Sequence, residues 1–218
     1  SYVEINNFYT ATVYNKGGEV IRMLQTLLGK EKFVEGVQLY LQRHDGQAVT
    51  TDDFVVAMED AGGIDLQQFR RWYDQAGTPK VTIEQEYDAD QKFLSLHFSQ
   101  ECPPTPEQSV KQPFHIPIAV GLLDHQGQDI PLRLEGEESE GETTRILELT
   151  QAEQTFRLID VDEKPVLSAL RNFSAPVQLD ADDTPADLAF RLAHDSDPFN
   201  RWEAGQLLAQ KELLRLLS

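Results

Sequence analysis

The spacing of apolar residues changes twice along this chain of 218 residues. Up to about residue 78 apolar residues recur every three or four positions, which is typical of helices that bury one face. We predict four helices with these apolar positions: Val20, Ile21, Met23, Leu24, Leu27 and Leu28; then Phe33, Val34, Val37, Leu39, Tyr40 and Leu41; then Phe54, Val55, Ala57 and Met58; then Leu66, Phe69, Trp72 and Tyr73.

Polar residues and glycines mark the ends of these helices. Gly29 is expected to end the first helix and Gly62–Gly63 the third, because glycine accepts the left-handed conformation of a helix C-terminus. Thr50 is expected to cap the third helix. Asp65 and Gln68 have the spacing of a capping box at the start of the fourth helix, with the Gln68 side chain reaching back.

After Thr78–Pro79 the apolar residues alternate, which predicts strands with one buried face. We predict about seven short strands separated by turns, a pattern typical of a β-sandwich. They lie near residues 81–87, 93–98, 114–120, 130–134, 146–149, 156–159 and 166–170.

After Pro176 the pattern becomes helical again. A capping residue followed by proline stands at Thr184–Pro185 and at Asp197–Pro198, which predicts helices near 185–194 and 198–217. Their short connection indicates an antiparallel pair, similar to the first unit of a longer helical array. We therefore divide the chain into a helical part at 1–78, a sandwich at 79–175 and a helical pair at 176–218.

Composition and charge exclude several classes of function. The formal net charge of −18 disfavours binding to nucleic acids and to anionic membranes. No apolar run reaches the roughly 20 residues that span a bilayer. The single cysteine excludes a disulfide framework and fits a reducing cytoplasm, which is the expected location.

The residues that bind metals are few and scattered. None of the five histidines is followed by glutamate or by a second histidine four positions on, so the His-Glu-x-x-His pattern of zinc peptidases is absent from the sequence. Cys102 alone cannot form a thiolate site. We expect no shared metal site among the histidines, which are His44, His97, His115, His125 and His194.

One segment near the start of the chain carries a specific motif. Val13-Tyr14-Asn15-Lys16-Gly17-Gly18-Glu19-Val20, preceded by Asn6-Asn7-Phe8-Tyr9-Thr10, resembles the tyrosine segment of the bacterial aminopeptidase N family of zinc metallo-aminopeptidases. Further blocks resemble the family in its order: Arg70 to Pro79, Lys111 to Pro117 and Leu149 to Phe156. The resemblance implies the helical C-terminal part of a thermolysin-like catalytic domain, then a β-sandwich, then the first helices of an α-superhelical domain.

The resemblance also implies roles for individual residues. Tyr14 would stabilise the transition state of peptide hydrolysis, and Tyr9 and Asn6 would line the substrate cleft. From the residues alone, the segment could equally be a surface helix capped by Asn6 or Asn7. Lys16 is interpreted as a solvated or tethering cation, and Gly17 and Gly18 as sites of close backbone packing.

Two functions follow as alternatives. In the first, the chain is a fragment of a zinc-dependent aminopeptidase that acts on peptides, and the fragment is inactive and binds no zinc because the ligands and the general base are absent. In the second, it is a non-catalytic binding or scaffold module. In the fragment, apolar faces such as those of Val20, Leu24 and Leu28, or of Leu207, Leu208, Leu214 and Leu217, are expected to be less covered than in the parent. Exposed apolar patches promote self-association, and the other portions of the parent chain would be natural partners.

Overall fold

The computed structural model describes residues 12–138 and 141–217. A π-helical turn at Thr12–Lys16 leads into α1 (Gly17–His44), α2 (Thr51–Gly62) and the short α3 (Arg71–Asp74). Eight strands follow: β1 (Lys80–Asp88), β2 (Phe93–Glu101), β3 (Ile116–Leu123), β4 (Asp129–Ile130), β5 (Arg145–Leu149), β6 (Glu153–Ile159), β7 (Val166–Ala169) and β8 (Gln178–Asp180). Two helices, α4 (Pro185–His194) and α5 (Pro198–Leu217), complete the described chain.

Glycines interrupt the first helices where the sequence predicts. Gly29 has φ of 76° and ψ of 161°, so the backbone breaks there and α1 consists of two helical stretches. Gly63 takes the left-handed conformation at the end of α2, with φ of 66°. At the start of α2 the Asp53 carboxylate accepts hydrogen bonds from the backbone N–H and the hydroxyl of Thr50, at 2.8 and 3.1 Å. The predicted ends of these helices are confirmed.

The fourth predicted helix is shorter than expected, and its capping box is wrong. Asp65 accepts a hydrogen bond from the Gln67 N–H at 2.7 Å, which makes a local turn. The Gln68 amide does not reach back. It donates to the carbonyls of Pro113 and Thr150 in the sandwich, at 3.1 and 2.6 Å. The Gln68 amide, which could have capped a helix, instead donates hydrogen bonds to the sandwich. This is a tertiary contact, and the spacing of residues within one segment does not predict it.

The strands form two packed sheets. One has the order β6-β2-β1-β8, and the other has the order β4-β3-β5 with β7 also paired to β3. All seven predicted strands are present, although β4 has two residues. The eighth strand, β8, was not predicted; it runs parallel to β1 along Lys80–Thr82. The sheet therefore continues to Asp180, beyond the division at residue 175, which stays a prediction.

One continuous apolar core links the sandwich to the helices. The Trp72 ring is buried 4.5 Å from the Phe114 ring, and its indole N–H donates to the His115 carbonyl at 2.9 Å. Val20 and Leu24 are 3% and 0% exposed and belong to the same core. They are covered because α1 packs against α2. The expectation that this face is less covered than in the parent stays a prediction.

The helical pair is attached to the sandwich through a buried arginine. Arg171, which is 3% exposed, donates to Ser168 and Thr144 at 2.9 Å and to Asp129 at 2.5 Å. It also lies 3.6 Å from the buried carboxylate of Asp195, in the α4–α5 connection. On α5, by contrast, Leu213, Leu214, Leu216 and Leu217 are all more than 60% exposed.

The shared core predicts a large effect of replacing Trp72. We expect Trp72→Ala to lower the free energy of unfolding by about 3–5 kcal/mol, because it leaves a cavity and removes the donor to His115. Trp202 on α5 is 58% exposed and serves as the control. Trp202→Ala should cost less than about 1 kcal/mol. Urea unfolding followed by circular dichroism measures both, and equal effects would contradict a core shared by helices and sandwich.

A bidentate ion pair fixes α2 to the segment that follows it. The Arg70 guanidinium donates to both carboxylate oxygens of Glu59 at 2.8 Å, and one of these oxygens also accepts from the Leu66 N–H at 2.9 Å. These hydrogen bonds, the Arg70 one foremost, hold the pKa of Glu59 below its ordinary value of 4.5. A carboxylate whose pKa is lowered on folding stabilises the protein above its unfolded pKa.

The stabilisation by Glu59 should therefore depend on pH. We expect Glu59→Gln to lower the free energy of unfolding by about 1–3 kcal/mol at pH 7. The difference between wild type and variant should shrink as the pH falls below 4.5 and through the lower folded pKa. Denaturant titrations from pH 3 to pH 7 test this, with Glu31→Gln, at an exposed position, as the control. A difference that stays constant with pH would refute the assignment.

Candidate functional site

Tyr14 lies in the π-helical turn that precedes α1. The residue is 64% exposed, so a molecule outside the described chain can reach it. π-helical turns are rare and frequently occur at functional sites. Tyr9 and Asn6, the other predicted site residues, lie outside the described residues, and their place in the cleft stays a prediction.

Lys16, two residues after Tyr14, is tethered to the start of the sandwich. Its ammonium donates to the carbonyl oxygen of Gly77 at 2.6 Å, across 61 positions of sequence. Half-burial lowers the pKa of Lys16 below its ordinary value of 10.5. The interaction with Cys102 raises this pKa, and the nearby positive charge of Lys111 lowers it further. Of the two roles interpreted from the sequence, the tether is the one the structure shows.

The acceptor of this tether is itself held on several sides. Lys111 donates to the Ala76 carbonyl at 2.9 Å, and the Gln108 side-chain oxygen accepts from the Ala76 N–H at 2.8 Å. Gly77 has φ of 103°, and a Cβ at this position would lie 2.8 Å from the Cys102 sulfur. We call this set, Ala76, Gly77, Cys102, Gln108 and Lys111, the Gly77 junction. The sequence analysis did not predict this junction.

The interpretation of Gly18 as a site of close packing is wrong. A Cβ built on Gly18 would meet no atom of residues 12–138 or 141–217 within 4 Å. The residue lies in the first turn of α1, where the space around it is open. Glycine at this position is therefore not required by a neighbouring backbone.

The histidines are used one at a time in local contacts. His115 lies 2.8 Å from the Glu148 carboxylate, and its hydrogen bond lowers the pKa of Glu148. His125 pairs with Glu163, and His97 contacts Thr155 at 2.9 Å. Within residues 12–138 and 141–217, no group of three or more His, Cys, Asp or Glu side chains could hold a metal ion.

Three family models match successive parts of the chain. Residues 1–73 match the peptidase family M1 domain. Residues 77–182 match a domain of unknown function, DUF3458, with an Ig-like fold. Residues 185–218 match a second domain of unknown function described as ARM repeats.

Individual relatives match almost the whole chain. Aminopeptidase N of Escherichia coli K12 is 50% identical over 206 residues, and aminopeptidase N of Haemophilus influenzae is 45% identical over 213 residues. The chain belongs to the bacterial aminopeptidase N family. The two alignments cover 94% and 98% of this chain but 23% and 24% of those proteins, so the chain spans about a quarter of their length.

A solved structure supports the same fold. The crystal structure of Legionella pneumophila aminopeptidase A in complex with aspartic acid matches with a TM-score of 0.81 and 30% identity, covering 95% of this chain and 22% of that one. The expected fold is therefore confirmed: part of a peptidase domain, an Ig-like sandwich and the first helices of a repeat array, in the order of the aminopeptidase N family. No helix in the described part of the chain is long and apolar enough to cross a membrane.

The Gly77 junction predicts opposite outcomes for two glycine substitutions. Gly77→Ala should lower the free energy of unfolding by about 1–3 kcal/mol, because an L-residue is strained at this φ and its Cβ would crowd Cys102. Gly18→Ala, in open space on α1, should leave stability unchanged or raise it by up to about 1 kcal/mol. Thermal melts of the two variants test this. A Gly77→Ala protein as stable as wild type would show that the junction tolerates a side chain.

Proposed function

We propose that this chain is part of a zinc-dependent aminopeptidase that removes N-terminal amino acids from peptides, and that Tyr14 is its transition-state stabiliser. The observation that supports this most is the position of Tyr14, an exposed phenol on a tethered π-helical turn, in a chain of the aminopeptidase N family. A scaffold or binding module gives no reason for a tyrosine held in this way.

The chemistry assigned to Tyr14 is hydrogen bonding to a developing charge. When a water molecule attacks the carbonyl carbon of the peptide bond, the carbonyl oxygen becomes an oxyanion. A neutral phenol is an O–H donor at pH 7 and can donate to this oxygen. The charge exists only in the transition state, so the bond lowers the barrier without strengthening substrate binding. By analogy with other oxyanion donors the effect is about 3 kcal/mol.

The described residues do not themselves fit a zinc site. Zinc sites use three or four His, Cys, Asp or Glu ligands, and residues 12–138 and 141–217 bring no such group together. We therefore propose that the zinc and the general base belong to other parts of the full-length enzyme. The 218-residue chain alone is then inactive, and its contribution is the Tyr14 turn and the body that holds it.

Replacing Tyr14 in an enzyme of full family length tests the proposal. We expect Tyr14→Phe to lower kcat by about 10²–10³-fold, the effect of losing one oxyanion donor, with KM and zinc content nearly unchanged. Tyr40→Phe removes a hydroxyl near the C-terminal end of α1 and serves as the matched control. The measurement is steady-state hydrolysis of an aminoacyl chromogenic substrate.

Two results would contradict this proposal. A Tyr14→Phe enzyme whose kcat stays within about threefold of wild type would remove Tyr14 from the reaction. Hydrolysis by the purified 218-residue chain, or one tightly held zinc ion per chain after dialysis, would show that the active site is complete without the rest of the enzyme.

A further inference from the structure

The Lys16–Gly77 hydrogen bond connects the Tyr14 turn to the sandwich, whose strands carry no residue of the proposed reaction. The two bonded groups are 61 positions apart in sequence, and the donor is two residues from Tyr14. A hydrogen bond from a charged donor is stronger than one between neutral groups, and partial burial strengthens it further. The position of the turn therefore depends on where the Gly77 carbonyl is held.

That carbonyl belongs to a segment with little freedom to move. The Gln108 side chain bonds both the Ala76 N–H and the Asp74 carbonyl, each at 2.8 Å. Gln75 and Gln112 are paired by two hydrogen bonds, at 2.7 and 3.0 Å. Hydrogen bonds from the loop between β2 and β3 therefore hold the segment from Asp74 to Gly77 in place.

The remainder of α1 is held independently of Lys16. Val20, Met23 and Leu24 are 3% or less exposed in the core, and Arg22 donates to the Phe173 carbonyl. Removing the Lys16 ammonium should therefore release the π-helical turn without unfolding the helix that follows it. This separation makes the role of the tether testable.

We propose that Lys16 is a positioning residue for Tyr14, and that the sandwich, through the Gly77 junction, fixes the position of the catalytic phenol. The proposal rests on the function proposed for Tyr14. Donors to an oxyanion work only when they are fixed in advance, and a displacement of about 1 Å can cost on the order of a hundredfold in rate. The Ig-like sandwich would thus contribute to catalysis without touching the substrate.

The first test measures the turn itself, in the 218-residue chain. Lys16→Met keeps an unbranched apolar side chain about as long as the lysine stem and removes the ammonium, with its charge and donor. Hydrogen exchange of peptides covering residues 12–18 should become about tenfold faster, while peptides from Val20 to Leu28 keep their protection. Lys32→Met, which removes an exposed ammonium from α1 after the break at Gly29, should change neither. Unchanged exchange at residues 12–18 in Lys16→Met would overturn the proposal.

The second test is a double-mutant cycle in an enzyme of full family length. Lys16→Met should lower kcat by about 10–100-fold with KM within about threefold, because the phenol is displaced and the substrate contacts remain. In a Tyr14→Phe background the same substitution should cost less than about threefold, since no donor is left to position. Lys32→Met should be neutral in both backgrounds.

The cycle separates failure of this proposal from failure of the function proposed for Tyr14. If Tyr14→Phe keeps wild-type kcat, the function of Tyr14 is wrong and the positioning proposal falls with it. If Tyr14→Phe is impaired but Lys16→Met is active, or if the losses of the two substitutions simply multiply, Lys16 does not act through Tyr14. A merely structural role would give multiplying losses together with a lowered Tm.

Discussion

The structure depends on how the chain passes from the helical part into the sandwich at Ala76–Gly77. The backbone there takes a φ of 103° against the Cys102 sulfur, a conformation that leaves no room for a side chain. Both the N–H and the carbonyl of Ala76 and the carbonyl of Gly77 are bonded by side chains from distant segments. Lys16 belongs to the helical part, whereas Gln108 and Lys111 belong to the sandwich. The helices and the sandwich therefore cannot turn relative to one another without breaking these hydrogen bonds.

Apolar packing and a buried charge network extend this coupling along the chain. Trp72 joins the helical core to the core of the sandwich by packing on Phe114. Its buried indole N–H is hydrogen-bonded to the His115 carbonyl. At the other end Arg171 joins strand residues to the α4–α5 connection through Asp129 and Asp195. A buried charge is costly unless it is paired and hydrogen-bonded. The network therefore favours one arrangement of the helical pair on the sandwich over others that would leave Arg171 unpaired.

Sequence patterns predicted most of the elements because each has a local signal. Alternation marked seven strands, and capping residues with proline marked α4 and α5. The pattern missed β8, whose three residues are too short to show a period and are ordered by pairing with β1. It also misassigned Gln68, whose partners Pro113 and Thr150 are far away in sequence. In both cases the decisive contact is tertiary, and spacing within one segment carries no information about it.

The candidate site shows the same limit. Tyr14 stands out through its resemblance to a family motif, because a tyrosine among apolar residues has many ordinary uses. The local sequence gives Lys16 as a cation but cannot give the Gly77 carbonyl as its acceptor, since the two meet only after the sandwich has folded. The proposed site is a single phenol, that of Tyr14. Its proposed position depends on three other parts of the chain: α1, the Gly77 junction and the loop between β2 and β3. Under the proposed role of Lys16, substitutions in the loop between β2 and β3 would alter catalysis through the Gly77 junction.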